Sequence, residues 1–160
     1  MNRILVIGAA GMVGRKLLRK LAQDGSLGGS QIAHATLHDL VAPQPPPKAP
    51  FQVRSAASDL SLAGEADKLV AERPSVIFHL AAVVSGEAEA DFEKGYRVNL
   101  DGTRQLFEAI RKVGAGYRPR VVFTSSIAVF GAPFPEAIGD EFLSAPLTSY
   151  GTQKAMAELL

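Results

Sequence analysis

Near its N-terminus the chain reads Ile4-Leu5-Val6-Ile7-Gly8-Ala9-Ala10-Gly11-Met12-Val13-Gly14. Four consecutive apolar residues are typical of a strand buried on both faces of a parallel sheet. Three glycines follow, and apolar residues then recur at helical spacing as far as Leu21. This order of strand, glycine turn and helix predicts a dinucleotide site, because the free N–H groups and partial positive charge of a helix N-terminus attract a pyrophosphate.

The three glycines have separate roles in this interpretation. Gly8 permits a tight turn, Gly11 lets the backbone approach the pyrophosphate, and Gly14 lets the helix lie close to the sheet. A strand-to-helix turn can also need glycines for structure alone. Their position between a strand and an amphipathic helix favours nucleotide binding over that alternative.

The composition is that of an ordinary globular domain. The 160 residues are 47% hydrophobic and 21% charged, with a net charge of +1 and no cysteine. Such a charge gives no indication of a nucleic-acid partner or a membrane surface, and disulfides and thiolate metal sites are excluded. The first strand begins at residue 3 and no apolar run could span a bilayer, so we expect a cytoplasmic protein with no membrane contact.

The rest of the chain alternates strands with helices. The sequence predicts further strands over 32–38, 51–57, 76–80 and 120–124, and helices over 62–72, 89–113 and from Thr148 onward. Loops rich in glycine or proline are predicted over 24–30, 43–50 and 131–146. This alternation predicts a doubly wound parallel α/β sheet of the Rossmann type, with strand order 3-2-1-4-5.

Three strand ends converge on one rim of this sheet. Gly8 follows the first strand, Ala81-Ala82 follows the fourth, and Ser125-Ser126 follows the fifth. In doubly wound sheets the ligand binds in the crevice beyond these ends.

The cofactor preference depends on the end of the second strand. Asp39 follows Gly14 at about the spacing of the carboxylate that binds an adenosine ribose, although a helix cap or loop acid is the alternative. Neither Leu40 nor Val41 offers a cation for a 2′-phosphate. The sequence therefore favours NAD over NADP.

Tyr150 and Lys154 are four residues apart and share one face of the last helix. A phenol, with an ordinary pKa of about 10, is a poor base at pH 7. A neighbouring ammonium and a positively charged nicotinamide both stabilise the phenolate. Ser126 would hydrogen-bond the substrate oxygen that loses its proton, while a hydride passes from the same carbon to the nicotinamide. The pair also occurs by chance in many helices, so the prediction depends on the glycine turn and the strand-end serine as well.

Five motifs resemble those of the extended short-chain dehydrogenase/reductases, the NAD-dependent epimerase/dehydratase family, in order and spacing. They are Gly8–Gly14, His79–Ala82, Asn99–Thr103, Thr124–Gly131 and Tyr150–Lys154. Residues 83–93 and 95–99 are similar to the D-erythronate dehydrogenase branch.

The resemblance implies a role for each matching residue. Ser126, Tyr150 and Lys154 would be the catalytic trio, and Tyr150 and Lys154 would also contact the cofactor. Asn99 would be structural or part of a proton path. The implied NAD-binding residues are Gly8, Gly11 and Gly14 with the amides of Met12 and Val13 at the pyrophosphate, Asp39 at the ribose, Asp59 and Leu60 at the adenine, and Ala81 and Ala82 at the nicotinamide.

The resemblance also bears on the extent of the chain. Family members are about twice as long, which implies that residues 1–160 are the NAD-binding domain, truncated after the catalytic helix. We expect the absent part to bind substrate, so this chain is either a fragment of a larger enzyme or needs a partner chain for turnover. The family's usual dimer surface predicts a homodimer through the 89–113 and C-terminal helices. Phe130 replaces a common tyrosine and removes one hydroxyl near the site.

Other polar residues receive less specific interpretations. His34 and His38 share a strand face and are expected on the strand surface, not in a metal site. Ser85 is predicted to contact the substrate from a loop that also carries Glu87 and Glu89. The basic residues Arg15, Lys16, Arg19 and Lys20 are expected to form a solvated helix face.

The leading hypothesis is an NAD-dependent dehydrogenase acting on a hydroxyl of a small sugar acid such as D-erythronate. An NAD-dependent nucleotide-sugar epimerase or dehydratase would use the same trio, but without net NADH production. A non-catalytic dinucleotide-binding module is a third interpretation, and the intact trio argues against it.

Overall fold

A computed structural model describes residues 1–160. The strands are β1 (Asn2–Ile7), β2 (Ser26–Leu27), β3 (Ser30–Asp39), β4 (Gln52–Ala57), β5 (Val76–His79) and β6 (Arg120–Phe123). The helices are α1 (Met12–Asp24), α2 (Glu65–Val70), α3 (Ser85–Ala90), α4 (Phe92–Gly95), a π-helix (Tyr96–Asp101), α5 (Gly102–Val113), a 3₁₀ turn (Ile127–Val129) and α6 (Ser149–Leu159).

Five parallel strands form the sheet in the order β4-β3-β1-β5-β6. The predicted doubly wound Rossmann fold and its strand order are confirmed. The short strand β2 was not predicted. It pairs antiparallel with the first residues of β3, after Gly25 ends α1 in a left-handed conformation.

The apolar residues of the central strand β1 alternate between two cores. Ile4 and Val6 pack with Leu18 and Leu21 of α1 on one face of the sheet. Leu5 and Ile7 pack with α2 and α5 on the other face. Burial on both faces explains the continuous apolar run in the sequence.

The prediction of one helix over 89–113 is wrong. Asp91 leaves the helical conformation, with φ −130° and ψ 87°, and its side chain caps α4 by accepting from Lys94 N. The π-helix then separates α4 from α5. Its buried Asn99 binds the backbone after β5, and this tertiary contact breaks the regular α-helical pattern.

Two local predictions also need correction. The helix predicted over 62–72 is shorter, because Gly64, at φ +82°, precedes its first turn. His38 is buried and not on the strand surface, since it is only 2% exposed and its Nε2 lies 2.8 Å from Ser58 Oγ. None of the helices combines the length and apolar character needed to cross a membrane.

Candidate active site

The glycine turn brings the ends of three neighbouring strands together. The N–H groups of Gly8 and Ala9 donate to His38 O at 2.9 and 3.1 Å, which joins the turn to the end of β3. Gly8 adopts φ +88°, and a Cβ there would lie 2.5 Å from Ala81 N after β5. Any larger residue would therefore be strained in conformation and would collide with the next strand.

Gly14 permits a similar close approach within the first turn of α1. A Cβ at this position would overlap the carbonyl oxygen of Gly8 and crowd Ala9. The helix consequently lies directly on the turn, as the sequence predicted.

The N-terminus of α1 has the properties of an anion site. Its N-cap is Gly11, no side chain caps this end, and the first turn contains no acidic residue. Met12 and Val13, the first two residues of the helix, have exposed side chains. The arrangement fits a pyrophosphate, because free N–H groups and the helix dipole both favour negative charge.

A cleft of about 410 Å³ lies beside this turn, within the range typical of small-molecule sites. Its walls come from the ends of β1, β3 and β5, the segment after β4, and two ion-paired side chains, Glu87 and Lys94. The predicted site residues among its lining are Gly8, Gly11, Asp39, Asp59, Leu60, Ala81 and Ala82.

Asp39 combines a structural contact with a position on the cleft wall. Its Oδ2 accepts from Ala10 N at 2.9 Å and its Oδ1 accepts from Leu40 N at 2.8 Å. A carboxylate has about four acceptor positions, so unused lone pairs remain for ribose hydroxyls.

Asp59 is held by neighbours that the sequence did not identify. Its carboxylate accepts from Ser61 N at 2.9 Å and from an Arg97 guanidinium nitrogen at 2.6 Å. Burial would raise the pKa of Asp59, but the hydrogen bonds from Ser61 and Arg97 lower it overall. Arg97 lies 38 residues away on the π-helix, and no local pattern links it to Asp59.

At the other end of the site, Lys154 is buried beside aromatic rings. It is only 1% exposed, and its Nζ donates to Thr124 O at 3.0 Å. The Nζ lies 4.7 Å from the ring centroid of Phe123 and 5.9 Å from that of Tyr150. Burial lowers the pKa of Lys154 to about 8, so most of the population still carries a charge at pH 7.

Ser126 and Tyr150 come from adjoining elements. Ser126 caps the 3₁₀ turn by accepting from Ala128 N at 3.2 Å, which leaves its hydroxyl proton available. Gly151 lies against Ala128 O so closely that a Cβ there would overlap it. The half-buried Tyr150 thus lies in the first turn of a helix that rests on the turn carrying Ser126.

Asn99 joins the π-helix to two neighbouring segments. Its side-chain oxygen accepts from Val83 N at 2.8 Å, and its Nδ2 donates to Val83 O at 3.0 Å and to Gln153 Oε1 at 2.7 Å. These contacts match the structural role, one of the two roles considered for Asn99. Gln153 is fully buried and was missed, although its place directly before Lys154 on α6 is a usable signal.

The buried His79 belongs to the same polar layer. Thr103 Oγ1 donates to Asn99 O at 2.7 Å, so its oxygen accepts from His79 Nε2, 2.8 Å away. This assignment leaves Nδ1 unprotonated and without a protein partner. Burial, reinforced by the charge of Lys154, lowers the pKa of His79 to about 3, and the ring stays neutral at physiological pH.

Eight predicted residues lie outside the lining of the 410 Å³ cleft, three of them (Met12, Val13 and Gly14) at the start of α1. Ser126, Tyr150 and Lys154 lie on the β6 side, and Asn99 is buried in the π-helix. Ser85 is exposed and begins α3, so its predicted loop location is wrong.

Comparison with known proteins places these features in a family. The chain is 45% identical over 161 residues to the D-erythronate dehydrogenase of Cupriavidus necator, covering 98% of this chain and 48% of that protein. The crystal structure of a nucleoside-diphosphate-sugar epimerase from Agrobacterium tumefaciens matches with a TM-score of 0.96 and 63% identity, covering 99% of this chain and 47% of the other. UDP-glucose 4-epimerase from Brucella ovis, solved in complex with NAD, matches with a TM-score of 0.79 and 28% identity over 99% of this chain and 46% of the other.

The chain therefore spans about half the length of the curated relatives it matches. The resemblance to D-erythronate dehydrogenases that the motifs suggested is confirmed as a sequence similarity. The family model described as the NAD dependent epimerase/dehydratase family matches residues 4–160. The chain belongs to this family, whose cofactor is NAD.

Proposed function

We propose that residues 1–160 are the NAD-binding domain of an oxidoreductase that oxidises a hydroxyl of a small sugar acid by Ser-Tyr-Lys chemistry. The observation that carries this proposal is the buried Lys154 ammonium beside the ring of Tyr150, next to the turn that bears Ser126. A non-catalytic dinucleotide-binding module would have no need to bury a lysine at this position.

In this proposal the chain's own groups hold the cofactor at both ends of the site. Asp39 binds the adenosine ribose, Asp59 and Leu60 contact the adenine, and Lys154 binds the nicotinamide ribose. NAD, when bound, supplies the hydride acceptor. The pyrophosphate and nicotinamide-side contacts are Gly8, Gly11, Gly14, the amides of Met12 and Val13, Ala81 and Ala82.

Proton removal is assigned to Tyr150. Its phenolate oxygen takes the proton of the substrate hydroxyl, while the Lys154 ammonium stabilises the negative charge on the phenolate. Ser126 donates its free hydroxyl proton to the same substrate oxygen and thereby aligns it.

D-erythronate is the proposed substrate because the relative from Cupriavidus necator is named for that activity. Ser85, exposed at the start of α3, is the proposed substrate contact. The 63% identity to a protein named as a nucleoside-diphosphate-sugar epimerase supports a second candidate, an epimerase or dehydratase with no net change of NAD.

The assembly and location are part of the proposal. A homodimer through the 89–113 region and α6 is supported by exposed apolar side chains on both, including Phe92 and Leu159. Light scattering that gave a monomer mass would contradict this dimer. A cytoplasmic location agrees with the absence of cysteine.

Two measurements test the proposal. Calorimetric titration of the 160-residue chain with NAD is expected to show one site. In the complete enzyme, incubation with D-erythronate is expected to form NADH continuously. Conversion of a nucleotide sugar without net NADH would favour the epimerase, and absence of NAD binding would contradict both candidates.

A further inference from the structure

A carboxylate outside the cofactor cleft binds the first turn of α6. Glu89 Oε1 accepts from Tyr150 N at 2.8 Å and from Ser149 Oγ at 3.0 Å. Ser149 Oγ also lies 3.3 Å from Ala88 O, so two consecutive residues of α3 contact the start of α6. Glu89 is 61 residues before Tyr150 in sequence, and the contact joins two separate helices.

This contact satisfies a backbone donor that the helix cannot satisfy itself. The first N–H groups of a helix have no partner within it. The N-cap Thr148 accepts from Gly151 N at 3.0 Å and satisfies that donor. The Tyr150 N–H therefore depends on the carboxylate from α3.

The charge of Glu89 suits this position. A negative group is favourable at a helix N-terminus, where the dipole is positive. The Tyr150 N–H bond is the main cause that lowers the pKa of Glu89, and Ser149 adds to it. Glu89 is thus ionised at neutral pH, and its oxygen is a strong acceptor.

The same short helix reaches the cofactor cleft. Glu87, two residues after Ser85, lines the cleft and pairs with Lys94. α3 therefore begins with the proposed substrate contact, Ser85, and its other end binds α6, the helix that carries the proposed base.

We infer that Glu89 is a positioning residue. By accepting a hydrogen bond from the backbone N–H of Tyr150, it holds the Tyr150 phenol where it can reach the substrate hydroxyl. This inference rests on the proposed function, since it needs Tyr150 to be the base. It assigns Glu89 no contact with substrate or cofactor. Small displacements of a reacting group are costly, with losses of about 10²-fold for about 1 Å.

The test compares three variants. Glu89→Ala removes the acceptor, Glu89→Gln keeps an acceptor oxygen without the charge, and Glu93→Ala removes an exposed acid of α4 that has no bonded partner. Turnover is followed as NADH formation from D-erythronate by the complete enzyme, and NAD affinity by calorimetry. Amide exchange at Tyr150 is followed by NMR in the 160-residue chain, which needs no turnover.

Glu89→Ala is expected to lower kcat by about 10- to 100-fold, with NAD affinity within about twofold and faster exchange at Tyr150. Glu89→Gln is expected to restore most of kcat and most of the slow exchange at Tyr150. Glu93→Ala is expected to match the wild type in all three quantities. Unchanged exchange in Glu89→Ala would overturn the inference, as would a Gln variant as impaired as the Ala variant. A parallel loss of NAD affinity and thermal stability would indicate a general structural role and would also overturn it. Turnover retained by Tyr150→Phe would instead contradict the proposed function, and the exchange result would stand separately.

Discussion

The two ends of the site differ in the groups that form them, which are backbone at one end and side chains at the other. The cofactor cleft is made largely of backbone: the Gly8 turn bonds to the end of β3 and lies against the end of β5. The catalytic end is made of side chains on α6, the π-helix and β6, joined by Asn99, Gln153 and Lys154. Side-chain changes are therefore expected to have their largest effect at the catalytic end, whereas changes that alter the backbone should have theirs at the cofactor end.

The sharpest test of this contrast is Tyr150→Phe in the complete enzyme. Loss of a general base is expected to lower turnover by about 10²–10⁴-fold, while NAD affinity stays within about twofold. Steady-state NADH formation and calorimetry measure the two quantities. Tyr117→Phe, which removes only a bond to Pro74 O, serves as the matched control and should keep full turnover. Retention of more than about a tenth of the wild-type rate in Tyr150→Phe would identify another base.

The converse test changes the backbone end. Gly8→Ala is expected to lower the free energy of unfolding by about 2–4 kcal/mol and to abolish measurable NAD binding, because its Cβ meets Ala81 N at a positive φ. Chemical denaturation and calorimetry check both effects. Gly139→Ala is the control, since nothing lies within 4 Å of its added Cβ. Wild-type NAD affinity in Gly8→Ala would refute the proposed pyrophosphate turn.

Lys154→Met is expected to affect both ends of the site, because Lys154 is assigned to both the Tyr150 phenolate and the nicotinamide ribose. Turnover and NAD affinity should therefore both fall. Stability should rise by about 1–3 kcal/mol at pH 7, since methionine fills the volume without a desolvated charge.

The pH dependence of that gain follows from burial. The pKa of Lys154 is about 8 when folded and 10.5 ordinarily, so the unfolded chain binds more protons between these values. The free energy of unfolding of the wild type should then increase from pH 8 to about pH 10.5 relative to the variant. The extra stability of Lys154→Met should shrink over the same range. Thermal unfolding of both proteins across this range measures the difference, and a constant difference would contradict the lowered pKa of Lys154.

The smallest expected effect concerns cofactor choice. Asp39 should repel a 2′-phosphate, so the wild type is expected to bind NAD at least about tenfold more tightly than NADP. Asp39→Asn should reduce that preference, while its amide oxygen can still accept from Ala10 N. Parallel calorimetric titrations decide it. Equal affinities in the wild type would remove Asp39 from the ribose site.

The same contrast explains what sequence could predict. The strand order, the glycine turn and the position of Asp39 are local patterns of apolar runs and turn residues, and all three lie where expected. The bond from Tyr150 N to Glu89 and the pair between Arg97 and Asp59 join residues 61 and 38 positions apart. Periodicity along one segment contains no information about such partners.

The failed prediction over 89–113 has the same origin. The segment has the apolar spacing of one long helix, and nothing local reports that Asn99 will bind Val83. Tertiary hydrogen bonds prevail here over the helical periodicity.

The π-helix has a consequence for the alignment of the helical segments. A π turn is equivalent to one residue added to an α-helix, and one residue corresponds to a rotation of about 100°. Deleting a single residue within Tyr96–Asp101 would restore a regular α-helix and change which side chains of this segment face the end of β5. We expect such a deletion to disturb the bonds of Asn99 to Val83 and of Thr103 to His79. The added residue thus acts as a phase offset that lets one helical segment contact both the last residue of β5 and the backbone that follows it.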